Sequence, residues 1–163
     1  MLPSEELRQS IEETYNIDLI QYAWREDFKE QVFSTKLDKT LETHANTLQD
    51  VYQMGFNIGH CGLTSRYICR QFKEATLYYG NASLLVGTSS SPNGEHAWSV
   101  INGYLIDSTL MICIPLTEAT KLGYIPEREI HHESARMLSE YDLFDLEYAK
   151  LEQQNQTYKK TNQ

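Results

Sequence analysis

The chain has 163 residues, 40% of them hydrophobic, and a formal net charge of −9. That length supports one domain with a proper core, and the acidic balance repels phosphate backbones and anionic lipid, which excludes nucleic acid and membrane surfaces as natural partners when no basic patch beyond Lys159-Lys160 is present. No run of about 18 apolar residues and no basic start followed by an apolar stretch marks a membrane span or a secretory signal, so a cytoplasmic protein is expected, or one exported by a route without a recognisable signal peptide.

Taken in chain order, Pro3-Ser4-Glu5-Glu6 is a helix start, with Ser4 as N-cap and acids in the first turn. Ile20, Trp24, Phe28 and Val32 keep the spacing of a second helix, and Leu37, Leu41, Ala45, Leu48 and Tyr52 that of a third, each presenting a stripe to a core. Gly59-His60-Cys61-Gly62-Leu63-Thr64 runs from a loop into a further helix, with Ile68 and Phe72 as its apolar positions. From Thr76 the period changes: Leu77-Tyr78-Tyr79 and Ser83-Leu84-Leu85-Val86-Gly87 read as strands broken at Gly80-Asn81. Thr88 to Gly94 is a loop rich in Ser, Pro and Gly that leads into His96. It reads equally as a rim over a site and as an ordinary surface turn. Pro126 begins a last helix through Arg136 and Leu138, and the stretch from Gln153 to Gln163 is too polar to order itself. The expected organisation is one domain over residues 1–152 and a polar tail over 153–163. Oligomeric state has no signature in the sequence.

The stretch Glu95-His96-Ala97-Trp98-Ser99-Val100-Ile101-Asn102-Gly103-Tyr104-Leu105-Ile106-Asp107 is the most informative segment. Asn-Gly between two alternating runs is a strong hairpin signal, because a type I′ turn needs positive φ at both central residues. The register follows: Ile101 opposite Tyr104, Val100 opposite Leu105, Ser99 opposite Ile106, Trp98 opposite Asp107, His96 opposite Thr109. His96 and Asp107 then share a face as diagonal neighbours about 7–8 Å apart, a gap that polar side chains bridge. A carboxylate there would take the Nδ1 proton of the imidazole and leave Nε2 for a thiol. Cys61 supplies the thiol. At a helix start the dipole and free N–H groups favour its thiolate, and Gly59 and Gly62 leave the sulfur uncrowded. The expected catalytic residues are therefore Cys61 as nucleophile, His96 as base and Asp107 as orienting acid.

These residues resemble the transglutaminase-like branch of the papain-like cysteine enzymes, in which a Cys opens a buried helix, a His follows on a strand within His-Ala-Trp, and an Asp sits on the next antiparallel strand. Cys61, His96-Ala97-Trp98 and Asp107-Ser108-Thr109 match that order, over a window from Gly55 to Ile114. The arrangement is also similar to the small leader peptidases of lasso-peptide biosynthesis. What the resemblance implies is an α+β, papain-like fold, with N-terminal helices and a buried Cys helix packed on an antiparallel sheet. The implied activity is that of a thiol protease, with deamidation and transglutamination as variants, on a peptide or protein substrate and without a cofactor. Ser99-Val100 departs from many relatives, which carry an acidic or second aromatic residue after the Trp; the departure bears on substrate handling and leaves the triad intact.

Several other readings accompany this one. A carbonyl oxyanion needs donors; the Cys61 N–H is one by position, and Gln53 or Asn57 is a weaker candidate for the second. His131-His132-Glu133 invites a metal reading, but adjacent helical residues diverge, whereas ligand pairs on helices want i, i+3 or i, i+4 spacing. His60, Cys61 and His96 lack a fourth zinc ligand at motif spacing, so no metal is expected. His44 sits in a polar helical stretch and needs no role. Three cysteines without close pairs speak for reduced thiols, with Cys69 and Cys113 as buried core thiols. The competing functional class is a non-enzymatic protein-binding module on the same fold, whose Cys-His-Asp trio is a structural hydrogen-bond network.

Overall fold

The computed structural model describes residues 1–24, 52–53, 55, 57–72, 74–89, 91–130 and 132–135. The expected helix through Leu37, Leu41, Ala45 and Leu48 lies outside those residues, as do Phe28, Val32, His44, His131, Arg136, Leu138 and the tail over 153–163. The described part is an α+β structure. Helix α1 (Pro3–Tyr15) and a 3₁₀ turn (Ile20–Tyr22) lead the chain. Helix α2 (Cys61–Gln71) is followed by strand β1 (Thr76–Ala82), a 3₁₀ turn (Ser83–Leu85), β2 (Glu95–Ile101), β3 (Tyr104–Asp107) and β4 (Ile112–Pro115). A short helix α3 (Leu116–Ala119), β5 (Tyr124–Ile130) and a turn of helix α4 (His132–Ala135) complete it. The strands form one sheet in the order β4-β3-β2-β1-β5, and every neighbouring pair is antiparallel. Among the described residues no helix is long and apolar enough to cross a membrane.

Strand alternation explains the two cores. Ala97 and Ile101 of β2 and Ile106 of β3 turn toward α2 and pack with Leu63, Tyr67 and Ile68. Trp98 and Leu105 turn the other way and pack with Ile112, Ile114, Ala119 and Tyr124, joined by Ile11 of α1. Ser99, on the α2 side, is buried, and its hydroxyl donates to the Ser65 carbonyl at 3.1 Å, a bond from sheet to helix. Phe72 is half-buried at the end of α2, beside that first core.

The hairpin has the expected register at Ile101↔Tyr104, Val100↔Leu105 and Ser99↔Ile106. Asn102 (φ 49°) and Gly103 (φ 81°) both take positive φ, as the tight turn requires. The ladder then stops: Asp107 pairs with Ile112 of β4.

Four expectations give way. Ser4 is not the N-cap of α1, because Leu2 caps it, Pro3 opens it, and Ser4 is buried. Ile20 is exposed in a 3₁₀ turn while Trp24 is buried, so these two do not share a helical stripe. Gly80-Asn81 does not break a strand, since β1 runs through both with a bulge between Tyr79 and Gly80, while Ser83–Leu85 is a 3₁₀ turn. Pro126 does not begin a helix either. It lies inside β5, an edge strand, where a missing N–H on the open side leaves no ladder bond unmade.

Candidate active site

Cys61 is the first residue of α2, with His60 at the cap position. The first turn is moored from below. Thr64 Oγ1 bonds the His60 carbonyl at 3.1 Å and lies 2.6 Å from the Ser108 hydroxyl, which fixes the helix start to the β3–β4 turn. Asn57, just upstream, is buried and donates its amide to Ser4 Oγ (2.5 Å) and to the carbonyls of Ser108 (2.8 Å) and Thr109 (3.3 Å). This knot ties α1, the approach to α2 and the β3–β4 turn together. It also consumes the Asn57 amide, so Asn57 is not available as an oxyanion donor. Gln53 is exposed and makes no hydrogen bond to Cys61 or His96.

His96 enters from the start of β2 and is 3% exposed. Its Nε2 lies 2.9 Å from Asp107 Oδ2. The diagonal approach deduced from the hairpin is thus realised, with the two ring nitrogens exchanged relative to expectation. Nε2 takes the carboxylate, and Nδ1, buried and without a hydrogen-bond partner, is left to the Cys61 side. The physical reason is the hairpin's own end: Asp107 sits past the last β2–β3 rung, so the ring reaches it with its far nitrogen.

Asp107 is fully buried and fully satisfied. Oδ1 accepts the backbone N–H groups of Thr109 (2.9 Å) and Leu110 (3.1 Å), and Oδ2 accepts His96 and the Tyr124 hydroxyl, the latter at 2.6 Å. Burial pushes its carboxyl upward, but the His96 charge and these donors outweigh that and hold it below the usual carboxylate range. Burial also acts first on His96, downward, and the adjoining carboxylate reverses it and raises the imidazole to about 10. Tyr124 is pushed well above the ordinary phenol value by burial and by the same carboxylate. Tyr124 had no signal as a site residue in the sequence; it comes from β5, and its ring packs edge-on against Trp98 at 5.4 Å.

The thiol feels the sum of these groups. Burial raises Cys61, and the facing His96 and the Ala97 N–H lower it, for a net position below its ordinary value. Ala97 is available for a simple reason. Residues 101, 99 and 97 point their N–H groups to the same edge of β2; β3 pairs only as far as Ser99, and the Ala97 donor is left over for sulfur. Cys61 is half-buried, whereas Cys69 is buried; Cys113, expected to be buried, is half-buried on β4. No cysteine among the described residues is disulfide-bonded.

Among the described residues no group of three His, Cys, Asp or Glu is placed to hold a metal ion. His132 opens α4, while its neighbour His131 lies outside the described residues. The Thr88–Gly94 segment is bonded to the preceding 3₁₀ turn, through Thr88 Oγ1 to the Leu85 carbonyl, and to β1, through Asn81 Nδ2 to the Asn93 carbonyl. On the far face of the sheet a cavity of about 270 Å³ is walled by Tyr78, Trp98, Leu105, Leu116 and Tyr124; neither Cys61 nor His96 lines it. Compared with known proteins, the chain matches no family model, no curated protein and no solved structure.

Proposed function

We propose that this chain is a cysteine-dependent enzyme acting on amide bonds of peptides or proteins through an acyl-enzyme on Cys61, with peptide hydrolysis as its favoured outcome. The observation that carries the reading is a buried imidazole gripped on one nitrogen by a buried carboxylate and open on the other toward a thiol of lowered pKa. Such a trio is what nucleophilic catalysis at a carbonyl needs. The likeness of Cys61, His96-Ala97-Trp98 and Asp107 to the transglutaminase-like, papain-like enzymes supports the same conclusion, and the five-stranded antiparallel sheet with its packed helix is compatible with that fold.

The chemistry runs through two halves. The Cys61 thiolate adds to the amide carbonyl carbon, and the carbonyl π pair moves to oxygen. On collapse the C–N bond breaks, and the departing nitrogen takes the proton held on His96 Nδ1. That leaves a thioester and a neutral imidazole. An entering water gives its proton to Nδ1, attacks the thioester and releases the acid, restoring thiolate and imidazolium. An entering amine gives transfer instead, so hydrolysis, side-chain deamidation and transglutamination share this path.

The reading is tested by brief treatment with iodoacetamide at pH 6, followed by peptide mass spectrometry. Cys61 labels while Cys69 and Cys113 stay unmodified, and Cys61→Ala abolishes cleavage of a peptide library without unfolding the protein. A Cys61 that labels no faster at pH 6 than an ordinary thiol makes the trio the hydrogen-bond network of a binding module.

A further inference from the structure

Helix α2 begins without a side-chain cap. Its first helical backbone bond is from Thr64 N–H to the His60 carbonyl, so the N–H groups of Cys61, Gly62 and Leu63 have no acceptor within the helix. The Cys61 N–H is one donor for an oxyanion, and neither upstream amide supplies the second: Gln53 is exposed and Asn57 is spent on Ser4, Ser108 and Thr109. A different group stands at this end of the helix. Tyr79 of β1 is the cross-strand partner of Ala97, whose N–H helps lower the Cys61 thiol. The Tyr79 ring lies on the α2 side of the sheet, and its hydroxyl reaches Gly62, where an added Cβ would come within 2.8 Å of it. Glycine at 62 is what lets the phenol lie against the first turn. From the next strand, Arg128 pairs with Tyr79 and holds its guanidinium 5.4 Å from the ring centroid, steadying the ring without engaging the hydroxyl. Among the described residues nothing hydrogen-bonds that hydroxyl. The buried, unpartnered Nδ1 of His96 is turned toward the same sulfur.

We propose that the Tyr79 hydroxyl is the second oxyanion donor, completing with the Cys61 N–H the cradle for the substrate carbonyl oxygen. This deepens the acyl-enzyme reading and rests on it. As sulfur bonds to the carbonyl carbon, the π pair collects on oxygen, and the Tyr79 O–H donates to it without transferring its proton. When the tetrahedral adduct collapses, the carbonyl re-forms and the hydroxyl relaxes back. Gly62 is the positioning residue, since its missing side chain sets where the phenol stands.

Two reactions of the same thiol separate this role from every other. Alkylation by iodoacetamide displaces iodide at a saturated carbon and makes no oxyanion, so it reads the thiolate alone. Acetylation by p-nitrophenyl acetate forms the S–C bond through a tetrahedral oxyanion and expels p-nitrophenolate, so it reads the cradle as well. Tyr79→Phe keeps the ring and its contact with Arg128, and Gly62→Ala displaces the hydroxyl without removing it. Both variants are expected to acetylate about 10²-fold more slowly, near the lower end of what loss of one oxyanion donor costs, while alkylation of Cys61 stays within about twofold of the parent. Acetylation at the parental rate in both variants overturns the proposal. So does a parallel fall of the two reactions, which would place Tyr79 in support of the thiolate or the fold. A parent protein whose Cys61 is not selectively alkylated at pH 6 overturns the acyl-enzyme reading itself, a result distinct from either of these.

Discussion

Replacing Asp107 by Asn tests whether the carboxylate governs the thiol. The displacement of His96 from 6.5 to about 10 corresponds to ~5 kcal/mol in favour of the charged ring. Without the carboxylate, burial is the largest remaining influence and pushes the imidazole downward against the smaller pull of Cys61, so His96 shifts toward its neutral form. The amide adds a second fault. Its oxygen can keep the N–H groups of Thr109 and Leu110, but its nitrogen then faces His96 Nε2 and donates to it. That fixes the ring proton on Nδ1, so the nitrogen nearest sulfur cannot accept a proton from it. With no imidazolium beside it, Cys61 is left to burial opposed by the smaller effect of the Ala97 N–H, and it rises above its ordinary value. Its thiolate fraction at pH 7 falls to a few per cent or less, and alkylation by iodoacetamide slows by about ten- to thirtyfold. The assay is the pH dependence of that rate, read by mass spectrometry on the Cys61 peptide. The parent shows a midpoint below the ordinary thiol range, and Asp107→Asn a midpoint above it. An unchanged profile in a folded variant would refute the reasoning and return Asp107 to the scaffold, as the acceptor that closes the β3–β4 turn.

Two stability predictions accompany it. Tyr124→Phe removes a 2.6 Å bond to a buried carboxylate that keeps three other donors; the cost is about 1.5–3 kcal/mol, read as a fall in Tm of about 5 °C or more, and an unshifted melt would mean that the hydroxyl does not hold Asp107. Gly80→Ala puts a methyl into the Ile125 carbonyl oxygen and the Trp98 ring, which costs about 3 kcal/mol in chemical denaturation. A neutral result there would show that β5 can move off the bulge.

What could be read from the sequence was local. Alternation and the Asn102-Gly103 turn fix which residues of β2 and β3 share a face, and that was enough to bring His96 to Asp107. The assignment of ring nitrogens was not legible, because it depends on how far the ladder runs before Asp107 leaves it. Tyr124 and Tyr79 were hidden for another reason. Each reaches the site through the placement of β1 beside β2 and of β5 beside β1, a choice of strand order that no short window encodes. Pro126 misled because proline followed by charges suits a helix start as well as an edge strand. Gly80 misled because a glycine that permits close approach of a neighbouring strand looks, in sequence, like one that ends a strand.

The Tyr124–Asp107 bond joins opposite halves of the sheet, since β5 is one edge and β3 lies next to the other, with β1 and β2 between them. Residues 125–129 of β5 are exposed, so this edge is held largely by its ladder to β1 and by the Tyr124 anchor. Fraying of such an edge is the low-energy kind of opening in a folded domain. When β5 lifts, the carboxylate loses a donor and the Trp98 ring loses its edge-on neighbour, while the hairpin and α2 keep their own contacts. The Cys61–His96 pair is therefore tuned from a strand that carries neither residue. In hydrogen exchange, the reactivity of the thiol would track the protection of β5 amides more closely than that of the helix on which the thiol sits.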